Sequence, residues 1–188
     1  MRKVIVYELL SLDGVAEAPE TFFGWDDAMD ASLAALIATQ DAVILGRRTY
    51  AEWAEFWPGP GNGILPFAPF INAVTKHDAT SEPLDREWTN ASAIDGPLVE
   101  FITRLKDQPG GDIGVHGSIS VAQSLLAAGI VEELSVVIGP MVAGRGRRLL
   151  NAAPLGKLEL IRSSTSPAGY LLADYRVLGE PVEPFPET

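Results

Sequence analysis

Apolar positions along the chain change period several times, and each change marks an element. Val4–Leu10 is a short, β-branched apolar run that reads as a buried strand, closed by the turn residues Ser11-Leu12-Asp13-Gly14. Between Trp25 and Thr39, Met29, Leu33, Leu36 and Ile37 recur at helical spacing. Ala42–Leu45 is a second buried-strand run, which Gly46-Arg47-Arg48-Thr49 turns into a short helix ending near Trp57-Pro58. Four prolines and three glycines between Pro58 and Pro69 predict an irregular loop. Phe70–Val74 reads as a third strand and Glu87–Ala91 as a weaker fourth. Leu98, Phe101, Ile102 and Leu105 mark a helix stopped by Pro109-Gly110-Gly111. Ile113–Val115 is a strand, His116-Gly117-Ser118 a turn, and Val121–Ala128 a helix capped by Gly129. After the strand Leu134–Ile138, the runs Lys157–Thr165 and Tyr170–Leu178 form a hairpin. This alternation predicts an α/β fold, a mostly parallel central sheet finished by a C-terminal antiparallel hairpin. One domain over residues 1–179 is expected, then a proline-rich, acidic and disordered tail at 180–188.

The absence of cysteine in 188 residues excludes disulfide scaffolds, thiol nucleophiles and thiolate metal sites. No metal centre is expected. A net charge of −11 makes the chain a poor general binder of nucleic acid or anionic membranes, so local arginine clusters matter more than the total. No apolar run reaches the length of a membrane span, and Met1-Arg2-Lys3 leads directly into the first strand without a signal-type cleavage site. A cytoplasmic protein is the expectation.

Ligands of parallel α/β sheets bind where strand passes to helix. Two such turns have suitable chemistry. Gly46 admits close backbone approach, the helix start after it offers free N–H groups, and Arg47 and Arg48 add forked cationic donors, with Thr49 following. His116-Gly117-Ser118-Ile119-Ser120 opens a second helix in the same way, Ser118 serving as cap or as phosphate donor. Glycine and serine also close ordinary turns, and that alternative stands beside the first. Taken together on one sheet edge, the two turns suggest an extended phosphate-bearing ligand such as a dinucleotide, although the Gly-x-Gly-x-x-Gly fingerprint is missing. Thr75 and Lys76, just past Phe70–Val74, either hold one further phosphate or form a polar strand end.

From about residue 2 to 178 the chain resembles the dihydrofolate reductase-like family. It is most similar to the riboflavin-pathway branch, the reductase domain of bifunctional deaminase-reductases and its single-domain forms. The resemblance is carried by Ser11-Leu12-Asp13-Gly14, Ile44-Leu45-Gly46-Arg47-Arg48-Thr49-Tyr50, Ile113-Gly114-Val115-His116-Gly117-Ser118, Val131-Glu132-Glu133-Leu134 and Pro140-Met141-Val142-Ala143-Gly144-Arg145-Gly146. It implies a three-layer fold, NADPH as cofactor and a homodimer. It further implies that Gly46, Arg47, Arg48 and Thr49 hold the pyrophosphate and adenosine side, with Gly117, Ser118, Ile119 and Ser120 opposite. Thr75 and Lys76 would hold the 2′-phosphate, and Leu12, Asp13 and Gly14 would flank the nicotinamide. Dihydrofolate reductases have a Gly-Gly pair where this chain has His116-Gly117. His116 is therefore either an acid or a satisfied turn histidine.

Hydride transfer to a C=N bond leaves a nitrogen that needs a proton, so a carboxyl beside the cofactor is required. Dihydrofolate reductases place their acid five residues after a tryptophan and sixteen before the turn glycine, which matches Trp25, Asp30 and Gly46. Asp27 is the rival, and acidic residues in a first helical turn also simply favour the helix dipole. For substrate, Gly144-Arg145-Gly146-Arg147-Arg148 is the most basic window, with Arg145 either a substrate donor or part of a solvated loop. Trp25, with Phe22, Phe23, Trp53, Phe56 and Trp57, either lines a pocket for a flat heterocycle or fills the core. The expected activity is an NADPH-dependent reductase resembling the 5-amino-6-(5-phosphoribosylamino)uracil reductase. Reduction of dihydrofolate, another pteridine or another small molecule is a second reading, and a non-catalytic nucleotide-binding protein of the same fold a third. Zinc deamination is excluded, because its cysteine ligands are absent.

Overall fold

The computed structural model describes residues 1–84, 86–151 and 156–181. Within them the order is β1 (Val4–Leu10), α1 (Asp27–Ile37), β2 (Gln40–Gly46), α2 (Arg47–Phe56), α3 (Ala68–Ala73), β3 (Thr75–Ala79), β4 (Ala91–Ala93), α4 (Leu98–Lys106), β5 (Asp112–His116), α5 (Ile119–Ala127), β6 (Glu133–Ile138), β7 (Gly156–Thr165) and β8 (Leu171–Pro181). Strands line up as β4-β3-β2-β5-β1-β6-β8-β7, all running one way except β8, which pairs antiparallel with β6 and β7, so the expected C-terminal hairpin is present. Of the expected tail, residues 182–188 lie outside the described residues, and β8 itself runs on to Pro181.

β1 sits in the middle and is covered on both faces. Val4 and Val6 pack with Ile102, Leu125 and Val121 of α4 and α5, while Ile5 and Tyr7 pack with Met29, Leu33 and Ile71 of α1 and α3. Helices on both faces of one sheet make the three layers, and they explain the near-continuous apolar reading of β1, β2 and β6. The connection after β1 runs over one face and that after β5 over the other. A crevice therefore opens at the carboxyl ends of these neighbouring strands.

One expected strand is a helix. Phe70–Ala73 belongs to α3 with Val74 as its C-cap, and the strand begins at Thr75. Phe67, Ile71 and Val74 fall at helical spacing and are all buried on one side, and a short apolar run fits either period until its partners are known. The correction also moves Lys76. It stands at the amino end of β3, with its side chain fully buried, Nζ donating to the carbonyls of Ile71 (2.9 Å) and Val74 (2.7 Å) at the end of α3. The ammonium lies 4.6 Å from the centroid of the Trp88 ring, and burial lowers its pKa to about 8. Lys76 thus caps a helix rather than a phosphate, and Thr75 is exposed at the opposite sheet edge from the crevice. The fourth strand likewise lies further on than expected, at Ala91–Ala93 instead of Glu87–Ala91.

Candidate active site

A cleft of about 690 Å³ occupies the crevice, within the range of small-molecule sites. Tyr7 and Glu8 of β1, Gly46 at the end of β2, Ala79 of β3 and His116 of β5 bring four strand ends to it. The two glycine turns meet directly. Gly46 N–H donates to Ser118 Oγ (2.9 Å), and Thr49 Oγ1 donates to the Gly117 carbonyl (2.8 Å). Gly117 has φ +58°, and a Cβ there would lie 3.1 Å from Trp53, so the turn requires glycine for both strain and space. Neither Gly46 nor Ser118 makes a side-chain cap to its own helix. The first N–H groups of α2 and α5 are consequently left for an anion, side by side on one sheet edge.

Arg47, Arg48, Thr49, Ile119 and Ser120 line the same cleft as expected. Arg47 pairs with Glu82 at 3.3 Å and Arg48 with Glu52 at 3.0 Å, exposed ion pairs of the kind worth little and exchangeable for a ligand phosphate. Arg145 is exposed and away from the cleft, whereas Arg147 lines it and donates to Ser120 Oγ at 2.8 Å. The arginine of the basic window that lines the cleft is therefore Arg147. The Ala16–Arg147 backbone bond of 2.9 Å and the Val15–Arg148 bridge set this register, which the sequence window alone leaves open.

Leu12, Asp13 and Gly14 do not reach the cleft; Ala16, Glu17 and Ala18 do. Leu12 is exposed, and Asp13 clasps two loops, accepting from Ser11 Oγ (2.7 Å), Ala143 N (2.9 Å) and Gly144 N (3.0 Å). The hydroxyl and the backbone donors hold its carboxyl down at about 2.

Two of the three acids around α1 are separated by position. Asp26 is the N-cap, accepting from Ala28 N (3.1 Å) and Met29 N (3.0 Å), and Asp27 is exposed outside the cleft. Asp30 lines the cleft and accepts from Trp25 Nε1 at 2.5 Å. One wall is aromatic: Trp53 and Trp57 meet Phe67 edge-on, at 5.8 and 5.2 Å between centroids. Of the expected aromatic group, Trp25, Trp53 and Trp57 face the cleft, and Phe22, Phe23 and Phe56 do not. His116 sits 2.8 Å from Gln40 Oε1, and burial pushes its pKa to about 4. It is a neutral, satisfied histidine.

Sequence reasoning missed Glu8. It lines the cleft at 3% exposure, receives the Ser118 N–H, and has Oε1 without a partner among the described residues. Burial raises its pKa to about 8, against which the Ser118 hydrogen bond acts only weakly. The signal was present: Glu8 is the one charge in the apolar run Val4–Leu10, and a charge in a doubly covered strand needs a reason.

Comparison with known proteins decides the family. A model of the RibD C-terminal domain matches residues 71–172. The chain belongs to the RibD C-terminal domain family. An uncharacterized protein of Bacillus subtilis, YyaP, is 22% identical over 180 residues, covering 93% of this chain and 94% of its own. A Shewanella structure described as a riboflavin biosynthesis protein superposes with a TM-score of 0.74 at 16% identity, over 94% of this chain and 99% of that one. A Thermotoga maritima deaminase/5-amino-6-(5-phosphoribosylamino)uracil reductase gives 0.68 at 14%, over 94% of this chain and 57% of that one. Dihydrofolate reductase from Enterococcus faecalis, complexed with NADP(H), gives 0.63 at 16%, over 93% and 96%. Identities at this level establish the shared dihydrofolate reductase-like fold. Within the RibD C-terminal domain family the chain has a riboflavin-pathway reductase-like architecture, with no helix among its described residues long and apolar enough to cross a membrane.

Proposed function

We propose that this RibD C-terminal domain protein is an NADPH-dependent reductase of a flat nitrogen heterocycle, its first candidate substrate 5-amino-6-(5-phosphoribosylamino)uracil. The observation that carries the reading is the pair of glycine turns, clipped together by Gly46 and Ser118, with Asp30 in the same cleft. The residues fit a dinucleotide: two uncapped helix starts, Arg47 and Arg48 at one of them, and the missing Cβ of Gly117 beside Trp53. Nicotinamide, when bound, supplies the hydride. Asp30 supplies or relays the proton, held in one orientation by the Trp25 indole. Trp53 and Trp57 give a face on which a planar ring can stack, and Arg147 offers donors to a ribosyl phosphate. The same reading puts the enzyme in the cytoplasm.

With Lys76 withdrawn into the core, Arg47 and Arg48 carry the preference for the 2′-phosphate. NADPH is expected to bind at least tenfold more tightly than NADH, about 1.4 kcal/mol. Arg47→Ala should weaken NADPH more than NADH. Titration calorimetry giving equal affinities for the two cofactors removes the NADPH assignment.

A symmetric homodimer belongs to the proposal. The edge strand β7 is exposed along its whole length, and Leu158, Leu160 and Leu171 form an apolar surface at the end of the sheet. Tyr175 and Val177 pack instead against the core. Light scattering at micromolar concentration should give twice the 20.1 kDa chain mass; a monomer mass overturns the assembly.

A further inference from the structure

β1 brings one acid to the floor of the cleft. Glu8 is held there from one side, because the Ser118 N–H at the start of α5 donates to its carboxyl. Oε1 is buried and has no partner among the described residues, and Glu8 is a lining residue of the cleft. A buried carboxyl left half satisfied is costly, and such a group in a native protein calls for a partner or a role.

We propose that Glu8 reads a carboxamide or lactam edge, C(=O)–N–H, on the ligand that this cleft takes. The inference rests on the dinucleotide reading and deepens it, since a nicotinamide carboxamide and a pyrimidine or pteridine lactam both present that edge. A carboxylic acid and an amide are complementary in two hydrogen bonds. The acid O–H donates to the amide oxygen, and the amide N–H donates to the acid carbonyl oxygen, which has a second lone pair beside the one Ser118 uses. Only the protonated acid can make both. Burial keeps Glu8 protonated at neutral pH, its pKa near 8.

Among the described residues, no other carboxyl that lines the cleft is as deeply buried as Glu8. α5, packed over Glu8, carries no titratable residue between Ile119 and Ala127. β5 contributes the neutral His116, and β6 contributes Glu133, which pairs in register with Ile5 and is bonded to Lys3. α4, on the same face, carries Glu100, Arg104 and Lys106. Across the cleft stand Tyr7, Asp30 and Arg147, then Glu17 and Glu20. Arg47, Arg48 and Glu52 close the α2 side.

The test titrates wild type, Glu8→Gln and Glu8→Leu with three probes, followed by tryptophan fluorescence. NADPH carries the carboxamide, 2′-phospho-ADP-ribose lacks the nicotinamide, and 6-aminouracil carries a lactam. Glutamine retains a donor and an acceptor, so Glu8→Gln should bind as wild type does at neutral pH. Glu8→Leu should lose at least tenfold for NADPH or for 6-aminouracil, and nothing for 2′-phospho-ADP-ribose. Loss with NADPH alone identifies the carboxamide, and loss with 6-aminouracil alone the lactam. Wild-type affinity for that probe should fall about tenfold per pH unit above the Glu8 titration, and the Glu8→Gln profile should stay flat. Equal losses with all three probes, or no loss with NADPH and 6-aminouracil, overturn the proposal. A wild type that binds none of the three ends the dinucleotide reading and takes the proposal with it.

Discussion

Asp30→Asn is expected to lower hydride transfer by roughly 10²–10⁴-fold while leaving NADPH affinity nearly unchanged, the usual contribution of a positioned acid. The substitution keeps the shape of the side chain and an acceptor for the Trp25 indole, which lies 2.5 Å from Asp30 Oδ1. What it removes is the ionisable proton. The deficit should shrink as pH falls, because solvent then protonates the substrate nitrogen directly. Asp27→Asn should change little, since Asp27 is exposed outside the cleft, and Asp26 is committed to capping α1. Stopped-flow oxidation of NADPH, run for each variant across a pH series, separates the cases. An unchanged rate in Asp30→Asn beside an active wild type takes Asp30 out of the mechanism. An Asp27 effect larger than the Asp30 effect shows that the wrong carboxyl was chosen. Absence of turnover by wild type with every pteridine and aminouracil tried favours the non-catalytic nucleotide-binding reading.

Glu8→Gln should remove a large part of the pH dependence of stability. The carboxyl titrates near 4.5 when unfolded and near 8 in the native state. Between those values the unfolded chain releases a proton that the native protein retains, so Glu8 costs more stability as pH rises, up to a limit near pH 8. The interval corresponds to a cost of about 5 kcal/mol at most, as one pKa unit is about 1.4 kcal/mol. Glutamine does not ionise, so the variant's advantage over wild type should grow steadily from pH 5 to pH 8. At the acid end the two should be close, or the variant slightly weaker, because its amide brings one more buried donor. Urea denaturation at several pH values reads the difference. Parallel stability profiles would mean that Glu8 is ionised in the native state and that water reaches it.

The elements legible in the sequence are those whose information is local. Gly46 and Gly117 announce their turns because a strand passing to a helix beside a close neighbour needs a residue without a Cβ, and a positive φ at Gly117 adds to that need. Met29, Leu33 and Leu36 announce α1 by period alone, and the spacing from Trp25 to Asp30 spans little more than one helical turn. β1, β6 and the β7–β8 hairpin followed from apolar runs bounded by turn residues. Where the period was ambiguous the reading slipped. Phe70 and Ile71 suit a strand as well as a helix, and the polar Thr75–Ala79 looks nothing like an interior strand until Lys76 is seen bonding the end of α3. That one displacement puts Thr75 and Lys76 at the amino end of β3, away from the cleft.

By itself, then, the sequence determined the fold class, the two glycine turns and the acidic start of α1, since propensity, period and short spacings act within a few residues. Tertiary structure decided which arginine of the basic window lines the cleft, that Asp13 is a clasp and Lys76 a helix cap, and that His116 is neutral beside Gln40. It also decided the state of Glu8. Burial and electrostatics are sums over groups far apart in the chain: Glu8 meets Ser118 from 110 positions away only when β1 and β5 pair. A side chain's protonation state and reach belong to that assembly, and no stretch of the sequence read alone contains them.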